Sequence, residues 1–203
     1  MSSIKSLKKQ LRLEIAKAAE LVTAESINEQ SAVVSEKLVT HARYQSAHRV
    51  CVYVSMPTGE LQTDRIIRRI FADQKQCFVP RFDVKTSRMH MLRLDCLEDY
   101  VNLPTYKWGI RQPAMGYGGE DVLLSETPLD LLLAPGVAFT GQGLRLGHGK
   151  GYYDSFLTAH KRKFGSYPYT IGLALKHQLT GHVPVTEYDV VLDEVLTAEW
   201  DNQ

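Results

Sequence analysis

Cysteine is scarce in this 203-residue chain: Cys51, Cys77 and Cys96 are odd in number and widely spaced. That excludes a disulfide frame, and neither a CxxC nor an HxxxH metal pattern exists. The first two lie in apolar runs, and all three are expected to be reduced core thiols. Net charge is equally slight, with 24 Lys and Arg against 23 Asp and Glu leaving +1. Such a balance offers no general attraction to nucleic acid or to an anionic membrane, so neither is expected as a partner. No apolar run approaches the length of a membrane span. The opening MSSIKSLKKQLRLEIAKAAE lacks the apolar centre and cleavage pattern of a secretory signal, and Glu14 and Glu20 argue against an organellar leader. The expectation is a cytoplasmic monomer of one domain, 1–203, in which local clusters of cations must meet any anionic ligand.

What the chain does have is glycine in one place. GQGLRLGHGKGYYD, residues 141–154, carries five glycines with Arg145, His148, Lys150, two tyrosines and an aspartate. Gly141, Gly143, Gly147, Gly149 and Gly151 have no Cβ to hold a ligand off the backbone. Successive N–H groups in such a loop can curl into an anion-binding concavity, with Arg145 and Lys150 supplying charge. The apolar run LDLLLAPGVAF precedes it and YYDSFL follows as a helix opening, and phosphates bind where a strand, a glycine loop and a helix start meet. Two familiar motifs are excluded. A Walker A loop needs Ser or Thr after its lysine, whereas Gly151 follows Lys150 and Leu144 stands where the first glycine belongs. The GxGxxG fingerprint fails at Leu146 counted from Gly141, and at Tyr152 counted from Gly147.

Hydrophobic spacing organises the rest. Leu7, Leu11, Ile15, Ala18 and Val22 recur at three and four, predicting an amphipathic helix over 4–22 with Lys8 and Arg12 on one side of its stripe. A second helix is expected over 24–42. Short apolar strands follow at 49–54, 77–82, 89–94, 129–135, 169–175 and 190–197. Between the first two, Thr63 is a candidate N-cap for a helix burying Ile66, Ile67, Ile70 and Phe71. Strands alternating with helices predict an α/β fold, a three-layer α/β/α arrangement with a mostly parallel sheet. Its ligand should lie beyond the carboxyl ends of the strands. SMPTGE, the glycine loop and KHQLTGHVP fall there. Residues 101–127 read as a long loop.

Several side chains suit phosphate chemistry. Lys150, between glycines, can reach a terminal phosphate as a mobile point charge, and Arg145 can clamp a second. Asp154 either holds magnesium, which takes one or two carboxylates with phosphate oxygens, or supplies charge at a helix start. Asp189 and Asp193 are candidate partners for it. Tyr152, Tyr153 and Trp108 offer flat faces to a heteroaromatic ring or to the core. Glu60, after a Pro-Thr-Gly turn, can accept from a donor-rich ring edge. His90 reads as a strand residue, and His148 is the one histidine inside a motif.

RLGHGKGYYD closely resembles the RLGxGxGYYD signature of the 5-formyltetrahydrofolate cyclo-ligase, or methenyltetrahydrofolate synthetase, family. The resemblance runs along nearly the whole chain, through KKQLR, SMPTGE with QT, VPR at 79–81, KWGIRQP at 107–113, LAPGVAF and VPVTEYDVVLDEVLT at 183–197. It implies an ATP- and Mg2+-dependent ligase that cyclises 5-formyltetrahydrofolate to 5,10-methenyltetrahydrofolate, releasing ADP and phosphate, on the family's three-layer α/β fold. By that resemblance Lys8 and Arg12 contact ATP. So do Arg145, Leu146, Gly147, His148, Gly149, Lys150, Gly151, Tyr152 and Tyr153, which form the triphosphate loop. Lys150, with Arg145 and Tyr152, is catalytic, and the stretch from His148 to Tyr152 also borders the folate. Val54 and Glu60 bind the pterin face and edge, Trp108 and Tyr152 pack against folate, and Arg81 contacts an anionic group. Asp154 and Asp189 hold Mg2+. The chain departs from the pattern at His148, where many members have Arg or Lys, at Thr140 for an aspartate, and at Ser155 for an arginine. These departures bear on the strength of ATP binding. Two other readings are a different phosphate-handling α/β enzyme, such as a sugar-phosphate isomerase, and a non-catalytic binding relative. The first has no need of the basic helix or Glu60, and the second would have lost Lys150 or the acids.

Overall fold

The computed structural model describes residues 3–83, 86, 88–106 and 109–199; Trp108 lies outside them. The chain runs α1 (Ile4–Ala19), α2 (Ala24–Thr40), α3 (Ala42–Ser46), β1 (Arg49–Val52), α4 (Asp64–Ala72), β2 (Gln76–Asp83), β3 (Arg88–Leu94), α5 (Leu97–Val101), β4 (Leu131–Ala134), β5 (Ala138–Phe139), β6 (Arg145–Leu146), α6 (Tyr152–Phe164), β7 (Tyr169–Ala174) and β8 (Glu194–Thr197). Six strands form one sheet in the order β3-β2-β1-β4-β7-β8. All neighbours are parallel except β2 and β3. This is the mostly parallel α/β architecture expected from strands alternating with helices. β1 and β4 are buried on every residue, as strands covered on both faces must be.

Chain direction sets the layers and the site. From β1 the chain crosses through α4 to β2 on one side, and from β4 it crosses through α6 to β7 on the other. Crossovers of this kind are right-handed, so steps in opposite directions put α4 and α6 on opposite faces. α4 buries Ile66, Ile67 and Ile70, and α6 buries Tyr153, Phe156, Leu157 and His160. The strand order reverses between β1 and β4, and in sheets of this kind the ligand crevice lies outside the carboxyl ends at such a point.

Several local expectations are corrected. Thr63 begins α4, but its hydroxyl makes no cap; it donates to the Tyr53 carbonyl at 2.7 Å and so ties the loop after β1 back to the strand. Cys51 and Cys77 are buried, whereas Cys96 is exposed ahead of α5. The α1 stripe is only partly covered: Leu11 and Ile15 pack on Ala138, Leu146 and Val183, while Leu7 stays 39% exposed. The last strand is shorter than 190–197, because Val190 and Leu192 bond outside the ladder. Residues 120–122 are not free loop: Arg93 donates to the Glu120 carbonyl and Val122 to that of Met91, edging β3.

Candidate functional site

The glycine stretch does not run directly from strand to helix. A hairpin intervenes, β5 pairing antiparallel with β6 through Ala138–Leu146 and Phe139–Arg145. Thr140 makes its turn. It is buried, and its hydroxyl accepts from the N–H groups of Gln142 and Leu144 at 3.3 and 3.2 Å. The hydroxyl thus does the turn-forming work an aspartate side chain would do. Gly143 has φ +80, and a Cβ there would run into the Leu192 carbonyl; the Leu192 N–H donates to the Gly143 carbonyl at 3.0 Å. Only glycine lets the two backbones approach so closely.

After the hairpin the loop opens at residues 147–151, and α1 crosses it. Arg12 Nε donates to the Gly147 carbonyl at 2.8 Å. The Lys8 ammonium donates to both Asp189 oxygens, at 2.7 and 2.6 Å. One helical turn thus holds the loop with Arg12 and the 186–193 segment with Lys8, so both cations lie on one side of α1 as their spacing of four implied. Burial on its own would raise the Asp189 carboxyl, but the bonds from Lys8 and Thr186 outweigh it and hold the group below its ordinary value. Burial lowers the Arg12 guanidinium from its ordinary value while Asp189 opposes that. Lys150 is exposed at the tip and makes no hydrogen bond or ion pair among the described residues. His148 is also exposed by area. Even so, desolvation by the loop, followed by the Arg12 and Arg145 charges, lowers its imidazole from the ordinary histidine value.

Arg145 points inward. It is 8% exposed and donates to both Asp154 oxygens at 3.1 and 3.0 Å and to the Pro135 carbonyl at 3.3 Å. Asp154, in the first turn of α6, also accepts from the Val190 N–H at 3.1 Å. Asp154 and Asp189 are therefore linked through adjacent residues of one segment, each already paired with a cation. Asp193 is not part of this group: it accepts from the Thr170 N–H and hydroxyl at 2.7 and 2.6 Å and pins β8 to β7. Leu146 is 1% exposed in β6, leaving its backbone as the part available to a ligand.

Across the opening stands the loop after β1. Val54 is 5% exposed and Glu60 is 6% exposed. Glu60 Oε1 accepts from the Met56 N–H at 2.5 Å. Burial pushes this carboxyl up to about 7, against the lowering effect of that bond. A carboxyl so placed shifts between acceptor and donor near neutral pH. A cleft of about 450 Å3 lies against the same loop, lined by the α1–α2 turn with Pro57, Thr58, Gly59 and Gln62 but not by Glu60. Tyr152 packs on Phe82 at the end of β2, ring centres 5.1 Å apart. Arg81, one residue before, has a buried Nε without a partner among the described residues. Gln112 bonds both backbone groups of Phe82, at 3.1 and 3.3 Å, and fastens the 109–112 segment beside them.

The fold thus bonds Lys8, Arg12, the start of the 145–153 loop, Asp154 and Asp189 into one group, and Val54 and Glu60 sit in the segment after the strand next to β4. Sequence reasoning missed the pairings Arg145–Asp154 and Lys8–Asp189, the latter spanning 181 positions. It also missed Gln178, whose buried amide donates to the Gly136 carbonyl at 2.7 Å and whose oxygen accepts from the Leu175 N–H, fixing the approach to the hairpin. No sequence pattern marks that glutamine.

Known proteins align with this arrangement over almost its whole length. The model of the 5-formyltetrahydrofolate cyclo-ligase family matches residues 4–198. A Caenorhabditis elegans protein named "Probable 5-formyltetrahydrofolate cyclo-ligase" is 42% identical, the match covering 97% of this chain and 95% of that one. The Mus musculus 5-formyltetrahydrofolate cyclo-ligase is 38% identical over 96% of this chain and 95% of its own. The solved structure of Aquifex aeolicus 5,10-methenyltetrahydrofolate synthetase superposes with a TM-score of 0.75 at 25% identity, covering 95% of this chain and 90% of that one. With its signature loop, its six-stranded sheet and these matches in agreement, the chain belongs to the 5-formyltetrahydrofolate cyclo-ligase family of enzymes.

Proposed function

We propose that this protein, acting as one domain over 1–203, uses ATP and Mg2+ to cyclise 5-formyltetrahydrofolate to 5,10-methenyltetrahydrofolate. The observation that carries the reading is the pairing of two unlike half-sites at one switch point. A glycine loop that carries Lys150, unpaired among the described residues, and is flanked by Lys8 and Arg12 suits a triphosphate, and the buried Glu60 suits a ring edge rich in N–H groups. A formyl oxygen is a poor leaving group. Its attack on the γ-phosphorus expels ADP and leaves a phosphorylated iminium. N10 of the folate then adds to the formyl carbon and loses its proton, and phosphate departs with the former formyl oxygen. No covalent enzyme nucleophile is needed; the protein aligns two substrates and neutralises phosphate charge. Lys150, free at the loop tip, follows the transferred phosphate, and Arg12 and Lys8 hold the remainder. Arg145 sets the loop through Asp154, and Tyr152, with Val54, borders the folate.

The donor set fits Mg2+. Asp154 and Asp189 are hard oxygen ligands beside the loop. Asp189 Oδ2 already accepts from Lys8 and twice from Thr186, but its Oδ1 accepts from Lys8 alone among the described residues, and Asp154 Oδ2 from Arg145 alone. Both keep lone-pair capacity. No group of three or more His, Cys, Asp or Glu side chains able to hold an ion occurs among the described residues. Magnesium takes one or two carboxylates and completes its shell with phosphate oxygens and water. When bound it would supply charge neutralisation on the phosphates.

We propose a cytoplasmic monomer, in keeping with three cysteines that are all free. The test is the near-ultraviolet absorbance of the methenyl product on mixing protein, 5-formyltetrahydrofolate and MgATP. A rise that requires ATP and magnesium and is lost in Lys150→Ala supports the reading; no rise from folded protein overturns it.

A further inference from the structure

Among the described residues, one buried polar group at the switch point lacks a partner, and a buried carboxyl near it has a single one. Tyr153 is 7% exposed, and its hydroxyl has no hydrogen-bond partner among the described residues. Glu60 is 6% exposed, and among the described residues its carboxylate accepts from the Met56 N–H alone, while its carbonyl accepts from the Gln62 amide. Orphaned buried groups are rare in native proteins, and a ligand or ordered water commonly completes them.

The two come from different loops but lie close enough for the Glu60 charge to act on the Tyr153 phenol. Tyr153 stands in the first turn of α6, its ring held under the Arg145 guanidinium at 5.5 Å. Glu60 hangs from the loop after β1, whose position is fixed by the Tyr53 hydroxyl donating to the Leu61 carbonyl at 3.0 Å. Tyr53 follows Cys51 by two positions, and the register pairs Cys51 with Phe78, four before Phe82. Side chains two apart share a sheet face, and Phe82 is the residue on which α6 lays Tyr152. The anchor of the Glu60 loop and the first turn of α6 are thus near neighbours, and Tyr53 and Tyr153 act on each other electrostatically. Burial first, then the charges of Cys51 and Glu60, push the Tyr153 phenol up from its ordinary value, so it is a neutral hydrogen-bond donor throughout the working pH range.

A ligand that satisfies both groups must offer N–H donors to Glu60 and, beside them, an acceptor to Tyr153. We infer that the Tyr153 hydroxyl is a specificity-determining contact to the folate and not to the nucleotide, donating to the 4-oxo group of the pterin while Glu60 accepts from its adjacent N–H edge. This rests on the folate reading above. Together the pair selects a 2-amino-4-oxo ring and disfavours a 4-amino one, which presents a donor where Tyr153 has its own.

The experiment compares dissociation constants of 5-formyltetrahydrofolate, its 4-amino analogue and ATP for the wild type and Tyr153→Phe. The inference expects the wild type to favour the 4-oxo compound. In Tyr153→Phe that compound should bind about tenfold more weakly, with the 4-amino analogue and ATP changed by less than about twofold. The variant's melting temperature should be equal or higher, because the lost hydroxyl has no protein partner. Equal weakening of both pterins, no weakening of either, or a loss confined to ATP overturns the inference and leaves the folate reading standing. A wild type that binds neither pterin overturns both.

Discussion

Replacing Glu60 by glutamine should make the unliganded protein more stable, and only above the acidic range. The carboxyl is 6% exposed and burial raises it from 4.5 to about 7. A raised carboxyl binds its proton more tightly in the folded state, so its contribution is intact below the unfolded value and is lost as pH climbs through the folded one. The window is therefore about pH 4.5 to 7. From 4.5 to about 7 is roughly 2.5 pH units, and at about 1.36 kcal/mol for each the full cost above the window is on the order of 3 kcal/mol. Glutamine has the same shape, keeps an oxygen for the Met56 N–H and cannot ionise. Denaturant unfolding at pH 5 and pH 8 measures the difference. Glu60→Gln should match the wild type to within about 1 kcal/mol at pH 5 and exceed it by about 3 kcal/mol at pH 8, while losing affinity for the folate. A stability gain independent of pH, or none at pH 8, would refute the reasoning. A functional site that costs stability when empty is what an acid held for a ligand entails.

Three further outcomes follow from the loop and its supports. His148 is held below 6.5, so it is neutral at pH 7 and gains charge only as pH falls through that lowered value. ATP affinity of the wild type should therefore rise on acidification. His148→Arg should bind ATP about fivefold tighter at neutral pH and lose that dependence, since one added cation beside phosphate contributes about 1 kcal/mol; unchanged or weaker binding by calorimetry would remove His148 from the phosphate site. Gly143→Ala puts a Cβ against the Leu192 carbonyl at a φ of +80, so thermal unfolding should show a loss of about 1–3 kcal/mol. A neutral result there would mean the 186–193 segment does not brace the hairpin. Lys8→Met breaks the bond to Asp189 and should weaken ATP binding about tenfold, about 1.4 kcal/mol; an unchanged dissociation constant would exclude α1 from the nucleotide site.

Local signals were the ones that could be read from the chain. The glycine loop, the Lys8 and Arg12 spacing and the apolar runs of β1 and β4 each lie within a few residues; the two runs form buried strands and the two cations share one side of α1, while the glycine stretch is reached only through a hairpin. The β5–β6 hairpin escaped because two-residue strands fall below any periodic signal. The Arg145–Asp154 and Lys8–Asp189 pairs escaped because nothing local records which acid a cation will meet across 9 or 181 positions. Thr63 was legible as a helix start but not as a strap to Tyr53, because a threonine at such a start can bond either way. Cys96 was misplaced in the core because its neighbours are mixed, unlike those of Cys51 and Cys77. Asp193 looked equivalent to Asp189 in sequence; only the β7–β8 register, which brings it to Thr170, separates the structural acid from the one beside the loop.

The most direct test of the account follows one atom. 5-Formyltetrahydrofolate labelled with oxygen-18 in its formyl group is turned over with MgATP, and the released phosphate is weighed by mass spectrometry. If the formyl oxygen attacks the γ-phosphorus at the glycine loop, each phosphate released carries one heavy oxygen. Unlabelled phosphate, with the label lost to water, would mean that ATP is cleaved without activating the formyl group, and the account would fail at its centre.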